Sequence, residues 1–401
     1  MIKNIKDKQK KPPFLREDVD LSTGGFRIAL VQDYIKEFGG AESVLETLSD
    51  IFPDAPIYTS IYRPHFLGPH QKRLEKKWAN RVHQSFFTYI PFVHKIISPL
   101  RLLSPLAFRS FDFSKFDVII TSATGAYFPN SLNKKSAKLI CYCHTPPRYL
   151  YGLPTARKFT KNKIIRFVVA ILNHFLRLKD FKFSQNVDQY LANSRTTAAR
   201  IKKYYRRDAL VINPPINLPK IILRPPFSRE EGALREGGFY LTGGRLARAK
   251  RFDVAIEACN QLKLKLKIFG RDFAGVSDEL KQISGPTIEF LGEVDNDTRS
   301  QLYSQAKAFI FSADQEDFGM VPVESMAFGC PVIAYRSGGV TETVVENKTG
   351  VFFDDLTANS CADAIKRFQK LKLKSSDCIS RAAEFSTEVF ISKIKKLCSS
   401  I

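Results

Sequence analysis

Phe26-Arg27-Ile28-Ala29-Leu30-Val31, followed by Gly39-Gly40 and then Ala41 to about Ile51, decides the fold. In the first six residues, Ile28 to Val31 form a continuous apolar run of the kind that lies in a parallel sheet covered on both faces. The last segment has apolar residues at Val44, Leu45 and Leu48, which share one face of a helix. Strand, glycine loop and helix open a doubly wound α/β domain. Further strands are expected at Val118-Ile119-Ile120, Lys138–Tyr142, Gln189-Tyr190-Leu191-Ala192 and Leu210-Val211-Ile212, each bounded by helical or turn segments. That alternation predicts a parallel sheet with helices on both sides.

Asn213-Pro214-Pro215 ends this half, and a Pro-rich, charged segment leads into a second series. Its strands are expected at Tyr240-Leu241-Thr242, Leu266–Gly270, Ile288–Leu291, Ala308–Phe311 and Val332–Tyr335, with helices such as Asp253–Asn260 and Thr298–Ala306 between them. The reading is an α/β chain of two Rossmann-like domains, 26–216 and 239–385, joined by a linker at 217–238. Residues 1–25 form a basic tail, and 386–401 a terminal helix with packing back onto the first domain as one placement. Two such domains facing each other leave a deep cleft at their strand C-termini, where ligands bind.

The chain has 401 residues, enough for two α/β domains, with 44% hydrophobic and 25% charged residues. No stretch approaches the roughly 20 uninterrupted apolar residues that span a bilayer. Met1–Lys11 is Lys-rich, but Pro12 and Pro13 follow and no apolar run comes next, so a cytoplasmic location is expected. The seven cysteines lack zinc-type spacing; Cys141 and Cys143 alternate along an apolar run and read as buried structural thiols. A formal charge of +22 fits nucleic acid, an anionic membrane surface, anionic substrates, or simply solvated basic faces. No nucleic-acid signature accompanies the charge, so no nucleic-acid partner is expected.

Ser312 to Glu324 carries the chemistry. A strand ends near Phe311, a loop carries Glu316, and Pro322 suits the first turn of a helix. Gly319 lets the backbone pass close to a ligand. A helix N-terminus favours an anion, whereas carboxylates suit vicinal diols, and a nucleotide sugar carries both. The run Glu316-Asp317-Phe318-Gly319-Met320-Val321-Pro322-Val323-Glu324-Ser325-Met326-Ala327, with seven residues between its outer glutamates, resembles the paired-glutamate motif of glycosyltransferase family 4. The likeness extends over nearly the whole chain after residue 25. It implies the GT-B fold, with Glu316 on the donor sugar, Glu324 on the ribose, and backbone groups of Phe318, Gly319 and Met320 along sugar and phosphate.

Gly243 to Arg251 places cations beside a glycine turn, where they would offset a pyrophosphate. In the family an Arg and a Lys serve the diphosphate, and Arg245 and Lys250 match them. Arg248 and Arg251 read as solvent-facing extras. Gly39 and Gly40 open a helix whose N–H groups face the same anion. His144-Thr145-Pro146-Pro147-Arg148-Tyr149 follows a buried strand and resembles the family's cleft-lining His-Thr-Pro motif, which makes His144 and Arg148 donor-contacting candidates. The catalytic set is therefore His144, Arg245, Lys250 and Glu316. Ala192-Asn193-Ser194-Arg195 also looks like family sequence near the cleft, without an assigned role. Two departures stand out: Gly270-Arg271-Asp272 where relatives carry Gly-Asp-Gly near the base, and Gln32-Asp33 where they carry His-Asp.

Asp295-Asn296-Asp297 superficially resembles an Asp-x-Asp metal motif, but its place before Thr298–Ala306 reads as a helix cap, and no metal or other cofactor is expected. The resemblance implies transfer with retention and without metal. It points most closely to bacterial surface-polysaccharide mannosyltransferases, on Gly39-Gly40-Ala41-Glu42, Phe52-Pro53-Asp54-Ala55 and Cys141–Pro146. GDP-mannose is then the expected donor and a saccharide or lipid-linked saccharide the acceptor. Ile164–Leu178 mixes apolar residues with Arg166 and Arg177 and reads as a buried domain helix, with an interfacial helix on the membrane's inner face as the alternative. The competing readings are a UDP-sugar donor and a non-catalytic nucleotide- or nucleic-acid-binding protein. An oxidoreductase fits poorly, because no Gly-x-Gly-x-x-Gly follows the first strand.

Overall fold

The computed structural model describes residues 26–93, 96–155, 162–219 and 238–399. The basic tail at 1–25 and most of the linker lie outside the described residues. The first sheet contains β1 (Ile28–Gln32), β2 (Ile57–Thr59), β3 (Val82–Gln84), β4 (Val118–Ala123), β5 (Lys138–Cys143), β6 (Gln189–Ala192) and β7 (Ala209–Val211). All pair in parallel, in the order β3-β2-β1-β4-β5-β6-β7. The second contains β8 (Tyr240–Gly243), β9 (Leu266–Phe269), β10 (Ile288–Gly292), β11 (Phe309–Phe311), β12 (Val332–Tyr335) and β13 (Gly350–Phe353), ordered β10-β9-β8-β11-β12-β13 and again parallel.

The apolar runs are explained by cover on both faces. Ala29 and Val31 of β1 enter one core, while Leu30 enters another with Val44, Leu45 and Leu48 of the helix Gly40–Ile51. The second sheet divides in the same way, with Phe309 and Phe311 on one side and Ala308 and Ile310 on the other. In each sheet the strand order reverses once, between β1 and β4 and between β8 and β11. The loops after those four strands are where such a fold binds ligands.

The terminal helix Thr387–Cys398 lies against the first sheet's helical layer. Phe390 and Ile394 are buried with Leu30, Leu45 and Leu48, and the Phe390 ring meets Tyr142 edge-on at 5.9 Å. Two chain segments thus join the halves, and they run side by side: the Ile216 N–H donates to Phe385 O at 3.0 Å and Thr387 N–H to Ile216 O at 3.2 Å.

One expectation is corrected. The segment 164–178 does form a helix, Lys163–Ser184, but its first half is not buried: Ile164, Phe167 and Phe175 are 75%, 68% and 58% exposed. Only from Leu176 onward does it pack, with Leu176 and Phe183 on Phe128 and Leu150.

Candidate active site

Lys250 follows β8 and Glu316 follows β11, the two strands at the switch point of the second sheet. Their side chains form an ion pair through Lys250 Nζ and Glu316 Oε2. The ammonium also lies 5.6 Å over the Phe311 ring. Burial pushes the Glu316 carboxyl up, but Lys250 outweighs it, with help from the Arg148 and Arg245 charges, and holds it below the usual carboxylate range. The Glu316 backbone is pinned from behind, because its carbonyl accepts from Gly339 N–H at 2.8 Å. Gly338 has φ +74° and packs so closely there that any side chain would collide with that backbone.

Gly319, at φ +87°, turns the chain into the helix Met320–Ala327, and Pro322 sits inside its first turn. Phe318 is buried against Phe385, so only its backbone faces the loop's outer side. Glu324, on the same helix, accepts from the Tyr303 hydroxyl at 3.3 Å and lies 3.8 Å from Arg299. Arg245 reaches across the cleft to Glu37 at 3.1 Å and stacks over Phe273 at 5.2 Å.

From the first domain, Gly39 caps the helix Gly40–Ile51 and its N–H donates to Glu42 Oε2 at 3.0 Å. Gly40 abuts Met320: a Cβ there would lie 2.8 Å from Met320 Sδ. The N-terminal ends of two helices from different domains therefore meet across the cleft. Their unpaired N–H groups and partial positive charges converge on one place, beside Arg245 and the Lys250–Glu316 pair. Such a place has the chemistry to hold a diphosphate, and carboxylates beside it suit sugar hydroxyls.

His144 follows β5, and its Nε2 lies 2.9 Å from Ser122 Oγ of β4. Burial pushes the imidazole down to about 4, so it is neutral at physiological pH. The departure at Gln32-Asp33 is structural in part. Asp33 Oδ2 accepts from the Thr124 hydroxyl at 2.6 Å and from the N–H groups of Thr124, Ala126 and Tyr127, fixing the loop after β4. Burial outweighs those bonds and raises Asp33 to about 6. The Gln32 amide is fully buried with neither polar atom partnered. Gly270-Arg271-Asp272, the other departure, is joined to the Arg245 loop: Leu246 N–H donates to Arg271 O at 2.9 Å, and Asp272 accepts from Gly275 and Ser277 N–H groups.

Two family models match the chain. "Glycosyltransferase Family 4" covers residues 38–220 and "Glycosyl transferases group 1" covers 225–385. The chain belongs to glycosyltransferase family 4. Alpha-1,3/1,6-mannosyltransferase ALG2 of Homo sapiens is 25% identical over 314 residues, spanning 70% of this chain and 72% of the human protein. Sulfoquinovosyl transferase SQD2 of Arabidopsis thaliana is 23% identical over 333 residues, 80% of this chain and 62% of the plant protein. Among solved structures, Anabaena HepE in complex with UDP-glucose superposes with a TM-score of 0.65 at 20% identity, covering 94% of this chain and all of that one. The fold is GT-B and the chain is a glycosyltransferase.

The glycosyltransferase uses Arg148 differently from the expectation. Instead of an open guanidinium facing a donor, it has Nη1 on Pro154 O at 2.7 Å and Nη2 on Gln315 O and, at 3.3 Å, on Asp317 Oδ1. Arg200, only 8% exposed, binds the same two groups, Asp317 Oδ1 and, at 2.9 Å, Gln315 O. Gln315 has φ +48°, a costly backbone for this residue type, and its carbonyl is held by both arginines. Ser194 caps the helix Arg195–Tyr205 and also donates to Asp317 O; Glu342 accepts from Arg195 and Thr196 N–H at 2.7 and 2.8 Å. Asn193 donates to His144 O at 2.9 Å. Asn193-Ser194-Arg195 thus belongs to a seam that ties the first domain to the loop carrying Glu316.

Sequence reasoning missed Asp317, Arg200, Glu342 and Glu37. The one legible signal was Arg200, a cation beside the Thr197-Ile201-Tyr205 stripe that the helix buries. Arg248, expected to face solvent, is instead half-buried and paired with Glu279, and Arg251 forks onto Asp253. Asp295 caps the helix Asn296–Gln305, accepting from Thr298 N–H at 2.7 Å.

Proposed function

We propose that the chain transfers a hexose, most specifically mannose from GDP-mannose, to a saccharide or lipid-linked saccharide in surface polysaccharide synthesis. The second domain, 239–385, holds the donor and the first, 26–216, the acceptor. The observation that carries this reading is the meeting of two helix N-termini at Gly40 and Met320 beside Arg245 and the Lys250–Glu316 pair. A diphosphate fits beside those abutting positive ends, against Arg245. Glu316 then accepts from the sugar hydroxyls once Lys250 turns to the phosphate, and Glu324 accepts from the ribose. The relatives named as mannosyltransferases support mannose; the donor complex of Anabaena HepE with UDP-glucose keeps a UDP-sugar as the second reading.

Both glutamates are assigned to hydroxyl binding, which leaves no motif carboxylate as a covalent nucleophile. The proposed chemistry is same-face displacement without a metal or other cofactor. The bond from the anomeric carbon to the diphosphate oxygen breaks, the acceptor oxygen bonds to that carbon from the same side, and the departing oxygen takes the acceptor's proton. Arg245, Lys250 and the two helix ends stabilise the charge that develops on the leaving group, where each such donor is worth roughly 10²–10³ in rate. His144, neutral and fixed by Ser122, lines the sugar side. A melting-temperature panel of GDP-, UDP- and ADP-sugars tests the donor. A ligand at about 100 times its Kd adds about 2.7 kcal/mol, and three unmoved melting points would remove the donor assignment. Proton NMR of the product decides the anomer; inversion would refute the same-face step.

A further inference from the structure

The helix Lys163–Ser184 comes shortly after the loop of His144 and Arg148. Its second half is anchored: Leu176 and Phe183 pack with Phe128 and Leu150, and buried Asp180 accepts from the Tyr151 hydroxyl at 2.7 Å. From Lys163 to Phe175 no residue is buried. Ile164, Ile165, Phe167, Val168, Ile171 and Phe175 are all exposed and share one broad face of the helix, with Lys163, Arg166, Asn173 and Arg177 on the opposite face. A globular protein normally buries such a face against its core.

A second apolar exposure adjoins it, with Phe86, Tyr89, Phe92, Leu103 and Leu106 outward. Arg101 lies 4.1 Å over the ring of Tyr149, which packs on the helix's anchoring cluster, and Arg109 lies 5.5 Å over Phe183. The charge pattern is one-sided. Residues 86–111 contain no Asp or Glu, and neither do residues 155–179, which carry Lys163, Arg166, Arg177 and Lys179 among their cations.

We propose that this face docks on an anionic lipid bilayer, with the apolar side chains in the interfacial zone and the cations against the headgroups. A helix with one open apolar face and cations on the other lies in the plane of a bilayer interface, its apolar side in the lipid and its cations at the headgroups. The unopposed cations match an anionic surface, where each contributes favourably. No helix among the described residues is long and apolar enough to cross a membrane, so the contact is peripheral. The inference deepens the reading of a lipid-linked acceptor, since it sets the His144 wall of the cleft beside the lipid surface. It stands or falls separately from the donor assignment, because vesicle binding needs no nucleotide.

The test is sedimentation of the full chain with vesicles of phosphatidylcholine alone or mixed with phosphatidylglycerol. The wild type is expected to pellet with the mixed vesicles and far less with the neutral ones. Phe167→Ser with Ile171→Ser lowers binding at least about tenfold. Arg166→Gln with Arg177→Gln lowers binding to mixed vesicles by roughly fivefold per residue and leaves neutral vesicles unaffected. These side chains are exposed, so both variants keep the wild-type melting temperature and nucleotide response. Three results would overturn the proposal: wild type that ignores the mixed vesicles, binding indifferent to both variants, or light scattering that shows a dimer dissolved by the serine variant, which makes a second copy the occupant.

Discussion

Asp317→Asn probes how the first domain controls the loop that carries Glu316. The native carboxylate receives Arg148 and Arg200, with side chains 20% and 9% exposed, and is itself 22% exposed. Removing one partner of a fully buried charge pair costs about 3–5 kcal/mol. Here the residual exposure of Asp317 reduces that, and both arginines retain the Gln315 carbonyl. About 2 kcal/mol is the expected loss, in line with charge-assisted hydrogen bonds. The seam exists only while the domains are closed, so that loss shifts closure by about 30-fold. A donor that touches both domains binds only the closed population, and its apparent Kd rises by up to that factor. Calorimetric titration of GDP reads the affinity, and small-angle scattering reads the expansion of the free protein. If Kd stays within about twofold and the scattering profile is unchanged, the seam does not govern closure and the reasoning fails.

Three other perturbations follow from single contacts. Glu37→Gln frees Arg245 from its exposed ion pair, worth about 0–1 kcal/mol, so the diphosphate should bind up to roughly fivefold more tightly in calorimetry; weaker binding would mean Glu37 serves the ligand. Gly40→Val sets a side chain against Met320 Sδ and should weaken GDP binding, while adding Met320→Ala to the same protein should recover it; no recovery would break the claim that the two helix ends must meet. Burial raises Glu42 from an ordinary 4.5 to about 8, so the folded protein binds its proton more tightly than the unfolded chain does. The wild type should therefore lose stability as pH rises from about 5 through 8, and the melting-point advantage of Glu42→Gln should grow across that window; a constant difference would show that Glu42 is not held protonated.

The repeated strand and helix pattern was legible because both sheets are covered on two faces, which writes Leu30, Ile120, Ile140 and Ile310 into uninterrupted apolar runs. β2 and β3 were not legible: Ile57-Tyr58-Thr59 and Val82-His83-Gln84 are three residues each near the sheet edge, too short for a period to register. β13 escaped for a related reason, since only the single turn Val340–Thr343 separates it from β12 and no amphipathic helix announces it. Of the site, the Glu316–Glu324 run and Arg245 to Lys250 could be read because each lies within one short loop. The seam could not. Arg200 and Asp317 are 117 residues apart and Thr196 and Glu342 are 146 apart, and nothing local marks either pairing. The helix 163–184 reads as a core helix because an apolar face at helical spacing fits a core as well as a lipid interface, and only its position decides between them.

The most direct test of the donor pocket is calorimetric titration of GDP and of guanosine into the wild type and Lys250→Met. With the ammonium beside the diphosphate, the variant should lose at least about tenfold in GDP affinity, the scale of one charge-assisted bond, and bind guanosine as before. Equal GDP affinity in both proteins would mean that the phosphates lie elsewhere and that the pairing of Lys250 with Glu316 is only structural.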